Sequence, residues 1–274
     1  MPRNISDVLD HLLPEAERSK SVEPESANAS AASQTTGSPR TTASASRLLI
    51  LGLPISHSDV VRAAFAWNLV VEVARLGGHA VLVSPSHDTE ASLWPDHGLG
   101  PLGAEVVLAE AEDLGALERA VLDVAETRAA EAEEVGIVFA RVPPLWLRKA
   151  ADGPKLLQHS LLFTSTEPRD LLETYGIAKL LLGSHIGGRV GVTVHGVQRL
   201  EEAREAFLHL SEVAERRLGR SLESYGALVD DLHVYRAIVA RRPIGLAHPQ
   251  SAAAHSLRDV AEILLRTAKE EMRG

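Results

Sequence analysis

The stretch LLILGLPISHSDVVRAAFAWNLVVEVARLGGHAVLV, residues 48–83, decides the fold because it contains two apolar runs separated by one helical pattern. The first run, residues 48–53, is followed by a Pro/Ser turn and by a helical pattern over about 60–76, which stops at two glycines. Residues 80–83 form the second run. Strand, helix and strand in this order predict a βαβ unit with two parallel strands.

The same alternation of strand and helix patterns continues along the chain. Further strands are predicted at residues 104–108, 136–140, 160–164, 190–195 and 225–229. Helices are predicted at about 113–132, 169–182, 200–217, 231–240 and 251–270. The sequence therefore predicts an α/β fold in three layers, with a mostly parallel sheet and helices on both faces.

The first 46 residues differ in composition from the rest of the chain. Residues 1–18 contain apolar side chains at helical spacing, which predicts a short amphipathic helix. The apolar side chains are Ile5, Val8, Leu9, Leu12 and Leu13. Residues 19–46 are rich in Ser, Ala, Thr and Pro, which predicts a disordered linker. Residues 47–274 remain for one α/β domain, and the N-terminal helix either docks on that domain or binds a partner protein.

Composition excludes several classes of function. A formal net charge of −9 argues against a nucleic-acid-binding protein, and the absence of cysteine excludes disulfides, iron–sulfur clusters and cysteine zinc sites. No apolar run reaches the roughly 18 residues of a membrane span, and the N-terminus lacks the plan of a signal peptide. The last helical pattern carries no added basic and apolar segment, so no stable membrane anchor is expected. We expect a cytoplasmic protein.

The turn after the first strand, PISHSD at residues 54–59, differs from a phosphate-binding loop. Such a loop needs glycines, whose backbone N–H groups approach the anion, followed by Lys and Ser or Thr at the helix start. No glycine follows Gly52 in this turn. Asp59 instead places a carboxylate at the start of the helix, where it can cap the helix and interact with the positive end of its dipole. We therefore predict that the protein fills its own anion site.

Several motifs in the second half of the chain follow one another in a set order. They are TSTEP at 164–168 with Tyr175 and Lys179, VHGV at 194–197 with EEA at 201–203 and Phe207, YG at 225–226 with Asp231, RRP at 241–243, and PQS at 249–251. From residue 48 onward the chain resembles the MinD/ParA family of P-loop ATPases, and within it the FlhG branch that controls flagellar number and placement. The resemblance implies a P-loop NTPase-like fold, with ATP and magnesium as cofactors and face-to-face dimerisation in active relatives.

The residues that bind nucleotide in that family are replaced here. With Asn68 and Leu69 as anchor, the nucleotide loop of the family falls on residues 56–63. The replacements are His57 for the signature lysine, Asp59, Val60 and Val61 for glycine-valine-glycine, Arg62 for the P-loop lysine, Ala63 for the magnesium-binding hydroxyl, Ser84 for a strand-end aspartate, Arg141 for the Walker B aspartate and His195 for the base-contacting asparagine. Together with Ser56 and Ser58 they form a degenerate nucleotide or anion site.

These replacements act against phosphoryl transfer together. Valine does not take the positive φ angles available to glycine, a carboxylate repels phosphate, and an arginine cannot ligate magnesium. Phosphoryl transfer depends on positioning and charge neutralisation by the missing groups. We therefore predict a non-hydrolysing regulator without a cofactor and without catalytic residues. It would bind proteins through its α/β surface and its N-terminal helix, in spatial positioning or numerical control of a cell-surface or division structure.

Two alternatives remain open on the sequence alone. The first is a dimerising ATPase that binds ATP and magnesium in an unorthodox site containing Arg62. The second is an enzyme that binds a small anion with Arg62 and Arg141. Without bound nucleotide, any homodimer would have to be stabilised by contacts between side chains.

Two further clusters contain residue types that occur in metal or catalytic sites. His87, Asp88, Glu90, Asp96 and His97 lie in one polar loop and could ligate a metal, but their spacing matches no metal motif and a solvated loop is the favoured interpretation. The SHSD stretch at 56–59 contains the residue types of a hydrolase triad, but neighbours in sequence rarely have triad geometry. No metal site is predicted.

Overall fold

The computed structural model describes residues 48–56, 58–86, 97–132, 134–148, 154–183 and 188–273. All of them belong to one compact unit that runs from Ser46 to Gly274. The predicted N-terminal helix with Ile5, Val8, Leu9, Leu12 and Leu13, the predicted linker, His57 and residues 87–96 lie outside the described residues and stay predictions.

The described residues form one eight-stranded sheet and eight α-helices. The strands are β1 Leu48–Pro54, β2 His79–Pro85, β3 Gly98–Leu99, β4 Glu105–Ala109, β5 Gly136–Val142, β6 His159–Thr164, β7 Arg189–Val197 and β8 Glu223–Val229. The helices are α1 Val60–Arg75, α2 Leu114–Glu131, α3 Pro144–Leu147, α4 Pro168–Gly183, α5 Leu200–Leu218, α6 Leu232–Val239, α7 Ile244–Ala247 and α8 Ala252–Glu271.

The strand order is β3-β4-β2-β5-β1-β6-β7-β8. The short β3 is antiparallel to β4, and every other neighbouring pair is parallel. Strand β1 therefore lies in the middle of the sheet, between β5 and β6. The carboxyl ends of the seven parallel strands meet at one edge of the sheet, which is where open α/β sheets bind ligands. The predicted fold class is confirmed.

Helices cover both faces of the sheet. Leu49, Leu51 and Leu53 of β1 belong to the main core together with α1 and α8 side chains such as Leu69 and Leu264. Helices α2, α4 and α5 connect strands that advance along the sheet in the direction opposite to the α1 connection. Because parallel crossovers are right-handed, these three helices lie on the other face, against β1, β5, β6, β7 and β8. Among the described residues, no helix is long and apolar enough to cross a bilayer.

The sequence patterns place the long elements within two residues of their observed ends. They miss β3, α3 and α7, because two or four residues are too few to show a periodicity. Helices α3 and α7 each follow a proline, Pro143 and Pro243, whose fixed φ angle is suited to the start of a helix.

The buried side chain of Asn68 joins the middle of α1 to α7. Its Nδ2 donates to the Ala64 carbonyl at 2.8 Å, and its Oδ1 accepts from the Ile244 N–H at 2.7 Å. Gly245 lies so close to the buried Glu72 carboxylate that a Cβ would overlap it. Helix α1 therefore holds the start of α7 by one buried hydrogen bond and by close packing.

Candidate functional site

The loop after β1 lies at the carboxyl edge of the sheet, where the family places its nucleotide loop. The Ile55 N–H donates to the Val142 carbonyl at 3.1 Å, which fixes the loop to the end of β5. The Asp59 N–H donates to the Ser56 carbonyl at 3.1 Å, and the hydroxyl oxygens of Ser56 and Ser58 lie 3.1 Å apart. These polar groups are bonded within the protein.

Asp59 caps helix α1 with its side chain. Its Oδ1 accepts from the Arg62 N–H at 2.9 Å, so the predicted cap is confirmed. The first N–H groups of a helix lack partners within the helix and carry the positive end of its dipole, so they attract phosphate. Here a carboxylate of the protein takes one of these donors and brings its own negative charge to the place where a phosphate would bind.

Arg62 is surrounded by three carboxylates, which we call the carboxylate clamp: Asp59, Asp170 and Glu173. Its Nε lies 3.3 Å from Asp59 Oδ2, its Nη2 3.7 Å from Asp170 Oδ2, and its Nη1 3.3 Å from Glu173 Oε2. The Arg62 side chain is only 8% exposed. Three negative charges against one positive charge leave the cluster with a net negative formal charge, which repels an anionic ligand.

Sequence reasoning missed Asp170 and Glu173. Both lie at the beginning of α4, three residues apart and therefore on one face of the helix. Asp170 also accepts a hydrogen bond from the Ser165 hydroxyl at 2.7 Å, which fixes its carboxylate. An acidic pair at this spacing after a predicted strand was a signal, but only the order of β1 and β6 in the sheet brings it to Arg62.

His195 on β7 lies beside the clamp in an apolar contact. Its ring centroid is 5.3 Å from that of Phe65, which in turn lies 6.3 Å from Phe163. Within the described part of the chain, the buried Nε2 of His195 has no hydrogen-bond partner. Burial, and after it the positive charge of Arg62, lower the pKa of His195 to about 4. The imidazole is therefore neutral at pH 7.

The depressed pKa of His195 makes stability depend on pH. The unfolded chain binds a proton at the ordinary pKa of 6.5, whereas the folded chain binds it only near 4. This stability is present above pH 6.5 and is lost as pH falls toward 4, by about 2 kcal/mol at pH 5. We expect His195→Gln to lose less stability than the wild type between pH 7 and pH 5, because the contribution of His195 to this pH dependence is gone. Urea unfolding at the two pH values measures the difference. The exposed His255→Gln serves as control, and equal pH dependence in wild type and His195→Gln would contradict the prediction.

Arg141 and Ser84 form a second polar contact at the same edge. The Arg141 side chain on β5 is fully buried, and its Nη1 donates to the Ser84 hydroxyl on β2 at 3.2 Å. Arg141 is the register partner of Leu53 near the end of β1. Ala63, in the first turn of α1, is buried and offers no hydroxyl. The two positions that the resemblance assigns to magnesium ligands thus carry a guanidinium and a methyl group, neither of which offers an oxygen ligand.

Solved structures with a similar fold include MinD proteins. The MinD cell division protein of Aquifex aeolicus covers 80% of this chain and 97% of its own, with a TM-score of 0.57 and 13% identity. The septum site-determining protein MinD of Pyrococcus horikoshii, solved with Mg-ADP, covers 82% and 98%, with a TM-score of 0.56 and 15% identity. The chain has the MinD/ParA fold.

Sequence similarity adds a curated relative to this likeness in fold. The antiactivator FleN of Pseudomonas aeruginosa is 30% identical over 105 residues. This match spans 38% of the present chain and 38% of FleN, well under half of either protein. No protein-family model matches the sequence.

The structure groups the site residues predicted from the sequence, as far as it describes them, in three sets. Asp59, Arg62 and His195 lie together with Asp170 and Glu173, while Arg141 and Ser84 form a pair on the other side of β1. Ser56 and Ser58 contact each other in the loop. In the residues that the structure describes, no group of three or more His, Asp or Glu side chains could hold a metal ion.

Proposed function

We propose that this chain is a non-hydrolysing regulator with the MinD/ParA fold, which binds no nucleotide and acts through protein–protein interaction. The carboxylate clamp on Arg62 is the observation that carries the proposal. The residue at the position of the P-loop lysine is a cation that already has three carboxylate partners. A triphosphate would have to displace these partners and then remain beside them.

Electrostatic repulsion favours the carboxylate clamp on Arg62 over a phosphate bound at the start of α1. Two unit charges of the same sign at 4 Å repel by about 4 kcal/mol at an effective dielectric constant of about 20. A phosphate at the start of α1 would meet the Asp59 carboxylate at this range, with Asp170 and Glu173 behind it. Val60 and Val61 replace glycines whose backbone would have to approach the anion closely. Arg141 supplies positive charge in place of a magnesium ligand, but it is buried against Ser84.

The role as a regulator draws on the relatives. FleN is an antiactivator, and the MinD proteins are cell division or septum site-determining proteins. We propose that this chain likewise contributes to the positioning or number of a cell-surface or division structure, in the cytoplasm and with protein partners. The segment with Ile5, Val8, Leu9, Leu12 and Leu13 is one proposed partner site, and the α/β domain is the other.

Isothermal titration with Mg-ATP and Mg-ADP tests the proposal directly. We expect no saturable heat with the full chain up to millimolar nucleotide, because the clamp holds Arg62 and repels phosphate. Pyrococcus horikoshii MinD, solved with Mg-ADP, serves as positive control for Mg-ADP. Micromolar binding that is lost in Arg62→Ala but kept in the exposed Arg204→Ala would overturn the proposal and support an ATPase with an unorthodox site. Circular dichroism checks that both variants are folded.

A further inference from the structure

Helix α6 presents an apolar stripe to solvent. Leu232 is 61% exposed, Tyr235 52% and Val239 81%, while Val234 and Ala237 on the opposite side are buried in the core. At 100° per residue, the three exposed side chains fall within an arc of about 60°. Single exposed apolar residues are ordinary, whereas a contiguous stripe of large ones marks an interaction site.

The sequence that begins with this stripe is basic in an otherwise acidic protein. From Leu232 to Arg258 the sequence contains no aspartate or glutamate, although the chain carries a net charge of −9. Arg236 lies next to the stripe on α6, and Arg241 and Arg242 follow directly after the helix; all three are exposed. We call the surface of Leu232, Tyr235, Arg236, Val239 and Arg242 the α6 face.

Two acidic residues directly precede α6: Asp230, which is exposed, and Asp231, which caps the helix. Asp231 caps α6 by accepting from the His233 N–H at 2.9 Å, and its Oδ1 lies 2.7 Å from His233 Nδ1. Its Oδ2 accepts from the Ala253 N–H at 3.4 Å, at the start of α8. Hydrogen bonds from the His233 N–H and ring outweigh the effect of burial and lower the pKa of Asp231. The Asp231 carboxylate therefore belongs to the helix cap, and the charged residues of the α6 face itself are Arg236 and Arg242.

We propose that the α6 face binds an amphipathic helix of a partner protein, whose apolar side chains cover Leu232, Tyr235 and Val239 and whose acidic side chains pair with Arg236 and Arg242. The eight residues of α6 span about 12 Å, which matches about two turns of a partner helix. The proposal rests on the proposed action through protein partners and names the chemistry of one of them.

Charge separates this partner from the other macromolecules that basic and apolar surfaces attract. An anionic bilayer or a nucleic acid presents an extended negative surface, which the net charge of −9 repels. A short acidic helix contacts only the α6 face, where the charge is positive. A stripe of three apolar residues on an eight-residue helix also provides little apolar area for insertion into a membrane interface.

Fluorescence anisotropy with two synthetic peptides tests the proposal on the full chain. One labelled peptide has Leu at every third or fourth position with Glu and Ala elsewhere, and the other has Lys in place of Glu. We expect the Glu peptide to bind at least tenfold more tightly than the Lys peptide. Tyr235→Ser combined with Val239→Ser should weaken the Glu peptide at least tenfold, whereas Leu208→Ser, an equally exposed leucine on α5, should leave it unchanged.

Charge reversal provides the second arm. Arg236→Glu combined with Arg242→Glu should reverse the preference toward the Lys peptide, and Arg204→Glu on α5 should not. The proposal is overturned if neither peptide binds, or if the Tyr235 and Val239 substitutions leave binding unchanged. Loss of binding to phosphatidylglycerol vesicles in the Tyr235→Ser, Val239→Ser variant would instead assign the α6 face to a membrane surface. Conversion of a dimer to a monomer by the same substitutions, measured by sedimentation, would assign it to a second copy of the chain, and either result overturns the proposal. The peptide experiment contains no nucleotide, so its outcome does not depend on whether the chain binds Mg-ATP. A failure of the α6-face proposal is therefore distinguishable from a failure of the proposed function in the Mg-ATP titration.

Discussion

Replacing Arg141 with alanine should lower the free energy of unfolding by about 3–5 kcal/mol. Arg141 is fully buried, so the substitution removes a large side chain from a packed interior and leaves a cavity beside Ser84. It also removes the donor that bonds the Ser84 hydroxyl at 3.2 Å. Urea unfolding at pH 7 measures the change.

Two further substitutions separate the contributions at this position. Arg204→Ala on α5 removes an exposed arginine and should change the free energy of unfolding by less than about 0.5 kcal/mol. Arg141→Met keeps most of the length of the side chain, so it should recover part of the packing but not the hydrogen bond to Ser84. An unfolding free energy of Arg141→Ala that lies within about 1 kcal/mol of the wild-type value would be within the error of the extrapolation. Arg141 would then not be a structural residue of the core.

Replacing Arg62 with methionine should cost about 2–3 kcal/mol of stability. The variant leaves the three carboxylates of the clamp close together without their shared cation. The loss is smaller than for a fully buried pair because Asp59, Asp170 and Glu173 keep side-chain exposures of 27%, 31% and 48%, and water screens them. The pKa of His195 should rise, since the arginine charge that lowers it is gone while Asp59 and Asp170 remain.

A rescue experiment tests whether charge is the cause. Asp170→Asn combined with Glu173→Gln in the Arg62→Met background removes the repulsion and should recover most of the lost stability. The same pair in the wild-type background closes a double-mutant cycle, which isolates the coupling energy. Urea unfolding gives the energies, and an NMR titration gives the pKa of the His195 ring. No coupling, or a fall in that pKa, would show that the clamp is not an electrostatic unit.

The long elements of the fold were predictable because buried parallel strands are short apolar runs that alternate with helices. The run at 48–53 and the glycines after 76 mark β1 and the end of α1 without knowledge of any contact. Helices α3 and α7 have four residues each and depend on packing. Their positions follow from contacts such as the bond from Asn68 to Ile244, which joins residues far apart in the sequence.

The site was predictable only where it is local. The Asp59 cap depends on residues three apart, so the sequence alone indicates it. Asp170 and Glu173 lie more than a hundred residues from Arg62, and only the adjacency of β1 and β6 brings them together. The resemblance to MinD/ParA proteins located Arg141 at a nucleotide position, but its burial against Ser84 follows from the adjacency of β2 and β5.

The bond between Asn68 and Ile244 has a consequence for regulation. Arg62 holds the first turn of α1 to α4, and Asn68 holds its middle to α7, which follows α6 after four residues. Helix α1 is thus held at two points, so the same helix that carries Arg62 also positions α7 and, through a four-residue connection, the neighbouring α6 face. For the proposed non-hydrolysing regulator, we expect partner occupancy to follow the cellular concentration of the protein, as for a stoichiometric titrant, and not a timed catalytic cycle.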